Sequence, residues 1–304
     1  MSEKFNFEGK VAVVTGGDCG LGRAHAIGFA RRGAKVLVND IYRSASSDKN
    51  YEATDQLVEE IRAFGGEAVA NYEPSVEGEL IIQSALDNFD RVDIVINDSG
   101  AYRDSSFHKM THDDWDKVYQ AHAYGAYSIC KAAWPHMCKQ EFGRIINTTS
   151  AAGIYGRGTQ ANFAFAKSGL IGFTNSLAVE GVDKGITANL IAPIATSALT
   201  ERGLPKELIA SLKPEWVTPL VLYLCSKHID ETGSLFEVGA GWVSKLRWQR
   251  SRGVFFESEE EFDADVVEGS WQEIVDFSNA SHPNSVKDIF NPIFDYLGIN
   301  QEPS

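Results

Sequence analysis

Residues Lys10-Val-Ala-Val-Val-Thr15-Gly16-Gly-Asp-Cys-Gly20-Leu21-Gly22 decide the fold. Val11 to Val14 is a short apolar, β-branched run, the pattern of a strand buried on both faces in a parallel sheet. The glycines interrupt it, and an amphipathic run from Arg23 to Arg32 follows. A strand, a glycine turn and a helix opening form a dinucleotide site. Without side chains the turn lets a pyrophosphate approach the backbone, and the helix N-terminus favours its charge. Thr15, Gly16, Gly20, Leu21 and Gly22 are therefore candidate cofactor-binding residues. Asp18 is out of keeping with a bound pyrophosphate and reads as a helix cap or as a solvent-facing carboxylate.

Outward from this turn, strand and helix patterns alternate. Lys35-Val-Leu-Val-Asn-Asp40 reads as a second strand. Asp40 lies about twenty residues past the glycine turn, where a carboxylate bonds a ribose 2′-hydroxyl. That carboxylate would repel a 2′-phosphate, so NAD is favoured over NADP, although Arg43 stands nearby. Glu67 to Ala70 is a third strand, and Ser75 and Val76 beyond it are candidates for the adenine side. Val92 to Asn97 is a fourth strand, running into Asn97-Asp98-Ser99-Gly100. Thr111-His-Asp-Asp114 has the form of a helix start, and an amphipathic segment runs from Trp115 to about Gln140. Arg144 to Thr149 is a fifth strand, with Ser150 at its C-terminal end. Helical spacing resumes from Gln160 to Asp183. Thr187 to Ile191 is a sixth strand, and Ala192-Pro193-Ile194 with Thr196, Ser197 and Thr200 follows it. Gly233 to Trp242 is the last strand and its turn. The economical solution is an α/β fold with one doubly wound, Rossmann-like parallel sheet. Residues 1–255 are expected to form the dinucleotide-binding domain, and 256–304 a C-terminal extension packed on it.

Composition narrows the function. The chain has 304 residues, of which 43% are hydrophobic and 23% charged, with a net charge of −14. An acidic balance argues against sequence-independent binding of nucleic acid or of an anionic membrane surface. The four cysteines, Cys19, Cys130, Cys138 and Cys225, are far apart. They suit free thiols in a reducing compartment and give no metal site. No apolar run reaches the ~18 residues of a membrane span. The N-terminus lacks a signal-peptide pattern, and Gln301-Glu-Pro-Ser304 is not a Ser-Lys-Leu peroxisomal signal. A soluble intracellular protein, cytoplasmic or peroxisomal, is expected.

The pattern Thr15-Gly16-x-x-x-Gly20-x-Gly22, with Ser150 and Lys167 downstream, resembles the short-chain dehydrogenase/reductase family. In that family a Tyr follows the Ser by thirteen residues and precedes the Lys by four. Tyr and Lys at i and i+4 share a helix face, so the ammonium lowers the phenol pKa. The phenolate then exchanges a proton with the substrate hydroxyl. Here Ser150 and Lys167 are in place, and position 163 is Phe. Carried over by position, Ser150 would orient the substrate oxygen and Lys167 would hold the nicotinamide ribose. Asn97 and Gly100 would steady the sheet and pack on the cofactor, and Pro193, Ile194 and Thr196 would meet the nicotinamide and phosphate. His122 would occupy a proton-relay position where Asn is usual. Phe163 has no proton to exchange, and Tyr155 is either a substitute donor or a wall of the pocket.

Further segments resemble one branch, the (3R)-hydroxyacyl-CoA dehydrogenase domain of the multifunctional enzymes of peroxisomal β-oxidation. They are Lys131-Ala-Ala-Trp134-Pro135-His136-Met137, Gly153-Ile-Tyr155-Gly156, Phe236-Glu-Val238 and Arg247-Trp248-Gln-Arg250. The resemblance covers roughly residues 5–300 and implies NAD-linked chemistry on an acyl thioester. It also implies a homodimer through helices near 112–140 and 160–183. Three readings stay open: altered chemistry, weakly redox or non-redox, on an acyl or polyketide-like substrate; a catalytically silent scaffold or dimerisation domain; and an ordinary dehydrogenase with an engineered Tyr-to-Phe change.

Overall fold

The computed structural model describes residues 5–40, 52–195, 206–256 and 263–299. The chain divides into two compact units, residues up to Lys245 and residues from Leu246 onward.

The first unit is built on an eight-stranded sheet of order β3-β2-β1-β4-β5-β6-β7-β8. Its strands are β1 (Val11–Thr15), β2 (Lys35–Asn39), β3 (Glu67–Asn71), β4 (Ile94–Asn97), β5 (Gly143–Thr148), β6 (Ile186–Pro193), β7 (Leu235–Gly239) and β8 (Trp242–Leu246). The pairs from β3 across to β7 are all parallel. The sequence pattern ends the sheet with β7 and the turn after it, and β8 is an addition to that pattern. The structure separates them at Ala240 and Gly241, whose φ angles of 50° and 81° reverse the chain in two residues.

Helices α1 (Gly20–Ala30), α2 (Glu52–Ala63), α3 (Gly78–Phe89), α4 (His112–Tyr119), α5 (Gly125–Gln140), α6 (Ala151–Tyr155), α7 (Ala161–Gly181), α8 (Lys206–Ser211) and α9 (Thr218–Leu224) connect the strands. Strand periodicity divides the core between the two sheet faces. Ala12, Val14, Val36 and Val38 pack with Phe29 of α1, Leu57 of α2 and Val221 of α9. Val11, Val13 and Leu37 pack with Ile81 of α3 and with Ile129 and Met137 of α5. Each strand alternates between these clusters, the period-2 rule applied to a sheet covered on both sides.

The amphipathic run from Trp115 to Gln140 is not one regular helix. α4 and α5 are joined by a π-helical turn over Gln120–Tyr124, and such turns frequently mark functional positions.

The strand order reverses between β1 and β4. The crevice of a doubly wound sheet opens there, beyond the C-terminal ends of the strands. The glycine turn, Asp40, Asn97 to Gly100, Ser150 and Pro193 all follow strands at that edge.

The second unit contains α10 (Ala264–Gly269), α11 (Trp271–Ile274) and α12 (Asn291–Leu297). Arg250 and Ser281 form an isolated antiparallel bridge, and Phe255 stacks on Tyr296 with centroids 4.1 Å apart.

Candidate active site

The glycine turn is shaped by contacts that a side chain would destroy. A Cβ on Gly22 would lie 2.1 Å from the Gly16 carbonyl oxygen, and one on Gly16 would lie 2.9 Å from the Asp98 backbone. Gly20 differs: its φ is +53°, and a Cβ there would meet nothing within 4 Å. The turn therefore leaves open space in front of the first turn of α1, the cradle a pyrophosphate requires. These residues fit a dinucleotide. Leu21 packs partly into the core beneath the turn. The Thr15 hydroxyl accepts from the amides of Asp98 and Ser99, both at 3.1 Å, and so clasps two loops together.

Asp40 accepts from the Asp18 amide at 3.3 Å. Asp18 does not cap α1, whose N-cap is Cys19, with no side-chain cap bond. The Cys19 thiol is pushed up to about 12, by burial first and then by Asp18 and Asp40. It is no thiolate at neutral pH.

At the end of β4, the Asn97 amide donates to Asn147 at 2.8 Å, and Asn147 donates to Thr174 at 2.8 Å. This buried line ties β4, β5 and α7 together. Val76 accepts through its carbonyl from Ser128 at 2.8 Å, fixing the loop after β3. Ile194 is 42% exposed, its amide held by Val238 at 2.7 Å. Pro193 ends β6 beside it. Thr196, Ser197, Thr200 and Arg43 lie outside the described residues.

Ser150 is the N-cap of α6, its hydroxyl accepting from the Gly153 amide at 3.2 Å. Gly153 in turn allows α6 to meet α7, since a Cβ there would lie 2.8 Å from Cβ of Lys167. Lys167 is buried, and its Nζ donates to the Thr148 carbonyl at 2.6 Å. Burial lowers its pKa to about 8, with the Asp98 carboxylate opposing the shift.

Phe163 sits one helical turn before Lys167 and is 5% exposed. Its ring lies 5.7 Å from the ammonium. It stacks on Tyr102 with centroids 5.0 Å apart and meets His122 edge-on at 5.0 Å. His122 belongs to the π-helical turn. Its Nε2 lies 3.0 Å from the amide nitrogen and 2.9 Å from the carbonyl oxygen of Ala101. Burial, then the Lys167 charge, holds its pKa well below the usual imidazole range. Gly100 makes room for it, as a Cβ there would lie 2.4 Å from Cε1 of His122. Thr15, Asn97, His122 and Lys167 line one small crevice.

Tyr155 is directed elsewhere. Its phenol is on an exposed side chain and donates to Glu237 of β7 at 3.2 Å. Desolvation and that carboxylate push its pKa up, opposite to the shift a base needs. Tyr102, which stacks on Phe163, carries no motif and is separated from it by sixty positions. His25 is likewise invisible in the sequence as a site residue, being one polar residue in a helix.

Residues 10–207 match the short chain dehydrogenase family. The chain belongs to this family. As a short chain dehydrogenase it is 48% identical over 300 residues to the peroxisomal multifunctional enzyme A of Dictyostelium discoideum, covering 98% of this chain and 67% of that one. It is 46% identical over 299 residues to the mouse peroxisomal multifunctional enzyme type 2, covering 98% of this chain and 41% of that one. The structure of the full-length peroxisomal multifunctional enzyme type 2 from Drosophila melanogaster superposes with a TM-score of 0.84 at 37% identity. That likeness covers 96% of this chain and 50% of that one. The chain thus spans between two fifths and two thirds of these relatives. No helix among the described residues is long and apolar enough to cross a membrane.

Proposed function

We propose that this short chain dehydrogenase binds NAD(H) and an acyl thioester or related ligand at a site whose proton-transfer position is filled by Phe163. Redox turnover is then slow or replaced by a non-redox step. The carrying observation is the aromatic slot itself. Lys167, His122 and Tyr102 stand around Phe163, whose buried ring packs in a small apolar cluster with Val118, Ala152 and Ala166. Position 163 thus offers no proton, and Nδ1 of the adjoining His122 is left buried without a hydrogen-bond partner among the described residues.

In this reading Gly16 to Gly22 cradle the pyrophosphate and Asp40 holds the ribose 2′-hydroxyl, favouring NAD over NADP. Lys167 holds the nicotinamide ribose, and Pro193 and Ile194 meet the carboxamide. A bound nicotinamide supplies a hydride acceptor. Ser150 presents its hydroxyl to the substrate oxygen, and its bond to Gly153 fixes the direction. Without a phenol the substrate proton has no partner of matched pKa at position 163. Losing a general acid/base costs about 10²–10⁴-fold in rate. The similarity to multifunctional enzymes supports an acyl-CoA-type substrate and a peroxisomal setting. Exposed apolar side chains on α5 and α7, including Tyr127 and Val179, support a homodimer through those helices.

The test is NADH formation from NAD and a panel of (3R)-hydroxyacyl-CoA thioesters, for the chain and for Phe163→Tyr, with NAD binding followed by tryptophan fluorescence. NAD binding in both, and turnover at least a hundredfold faster in Phe163→Tyr, is expected. Equal turnover would refute the role given to Phe163. Absence of NAD binding in both would favour a silent scaffold.

A further inference from the structure

A second cluster of buried ionisable groups lies directly behind the site. Asp98, in the loop just after β4, has a side chain only 3% exposed, and His25 of α1 is fully buried. One Asp98 oxygen accepts from the Thr148 hydroxyl. The other faces Nε2 of His25 at 3.4 Å. Neither that oxygen nor that nitrogen has a hydrogen-bond partner among the described residues. Behind His25, Nδ1 lies 2.9 Å from the hydroxyl of Thr218 on α9. Thr148 also takes the Lys167 ammonium on its carbonyl at 2.6 Å. One residue thus separates a buried carboxylate from a buried ammonium.

Charge balance decides what this cluster does. A carboxylate withdrawn from water needs a counter-charge. His25 does not supply it, because burial keeps its pKa low despite the nearby carboxylate. His122, the other imidazole beside the ammonium, is also neutral. Arg91 and Lys10 are engaged with Asp93 at the opposite end of β4. Among the described residues, the positive charge joined to this cluster is that of Lys167, through Thr148. We propose that Asp98 is a positioning residue for Lys167: its carboxylate, held by the Thr148 hydroxyl, is the counter-charge that keeps the ammonium on the Thr148 carbonyl at the crevice.

The consequence is specific to this site. Where a phenolate adjoins the lysine, it shares that task. Phe163 offers only a ring face 5.7 Å away, and the fixed negative charge is that of Asp98, bonded to the same Thr148 whose carbonyl takes the ammonium. The ammonium is thereby kept charged and available to a ribose hydroxyl. This last step rests on the NAD-binding reading, whereas the pairing itself does not.

The experiment is an NMR titration of the Lys167 ammonium in ligand-free protein carrying ¹³Cε-labelled lysine, assigned with Lys167→Arg. It compares the chain with Asp98→Asn, and NAD binding is measured on the same samples. The unsubstituted chain is expected to titrate near 8. Asp98→Asn is expected to lower that midpoint by about one unit or more, the effect of removing a close opposite charge. Should Asp98→Asn fail to fold, Thr148→Val loses the hydroxyl that holds the carboxylate while keeping the carbonyl for Lys167. It is expected to lower the midpoint by less, and Thr148→Ser to restore it. A merely structural role predicts lower thermal stability with the midpoint unmoved, and that result overturns the proposal. If the midpoint moves as expected but NAD never binds, the pairing stands and the cofactor reading falls.

Discussion

The imidazole of His122 stands edge-on to the ring of Phe163, with centroids 5.0 Å apart and planes at 87°. The contact joins a π-helical turn to the first turn of a regular helix. Aromatic rings prefer such edge-to-face contacts, and a neutral imidazole tolerates one without loss. Its Nδ1 nonetheless stays buried without a hydrogen-bond partner among the described residues. In the function proposed above, this contact sets an apolar ring at the proton-transfer position beside a neutral imidazole.

That setting fixes a pH dependence. The folded-state pKa of His122 is depressed from an ordinary value of 6.5, by burial and then by Lys167. Below about pH 6.5 the unfolded chain binds a proton that the fold refuses, so stability falls with falling pH, by at most ~1.4 kcal/mol per pH unit for one such group. Above 6.5 both states are neutral and the effect vanishes. His25 behaves alike. Urea midpoints of the chain and of His122→Gln between pH 5 and 8 (a range around the ordinary imidazole value) measure it. The substituted chain is expected to show a shallower fall, and identical slopes would mean that His122 takes its proton in the fold.

The two glycines of the cofactor turn should fail differently. Gly20→Ala places a side chain in open space at φ +53°, a backbone cost of about 1–2 kcal/mol. It should fold and lose NAD affinity. Gly22→Ala brings a Cβ to 2.1 Å from the Gly16 carbonyl oxygen and should lose stability itself. Thermal melts beside NAD titrations separate the two, and a Gly20→Ala protein that binds NAD normally contradicts the cradle.

Ser150 carries two roles that substitution can part. Its hydroxyl caps α6, so Ser150→Ala should cost about 1 kcal/mol. Ser150→Asp keeps a cap acceptor and should recover most of that stability. Neither should restore ligand orientation. The check is the urea midpoint against the residual activity of each protein in the Phe163→Tyr background. Full activity in Ser150→Ala would remove Ser150 from the site.

The dimer reading is open to one exposed residue. Val179 on α7 is 78% exposed in the single chain, so Val179→Asp should leave the protomer's own stability almost unchanged. Across a homodimer interface it would bury a charge without a partner. Light scattering after gel filtration should give a dimer for the chain and a monomer for Val179→Asp. A monomeric parent chain, or an unaffected dimer, rejects this interface.

Local pattern carried a large part of this protein. The apolar runs at Val11 to Val14 and Val92 to Asn97, the glycine turn between strand and helix, and the cap at Thr111 are all short-range signals. Burial and hydrogen bonding within a few residues enforce them, and so the doubly wound sheet and the edge that holds the site are legible from sequence. The Ser150–Lys167 spacing likewise singled out Phe163, which the fold sets beside Lys167 and His122. The eighth strand was missed because Trp242–Leu246 is a short, largely exposed edge strand without the buried apolar run that marked the others.

The surroundings of each charge were decided by the tertiary structure alone. His25, Asp98, Thr148, Lys167 and Thr218 are spread over α1, the loop after β4, the end of β5, α7 and α9, and no local periodicity links them. Tyr102 meets Phe163, and Tyr155 turns to Glu237, for the same reason. The sequence by itself determined which elements form and which residues stand at the strand ends. Only the fold decided which buried groups share a low-dielectric space, because desolvation and Coulomb interaction depend on distance through space and not along the chain.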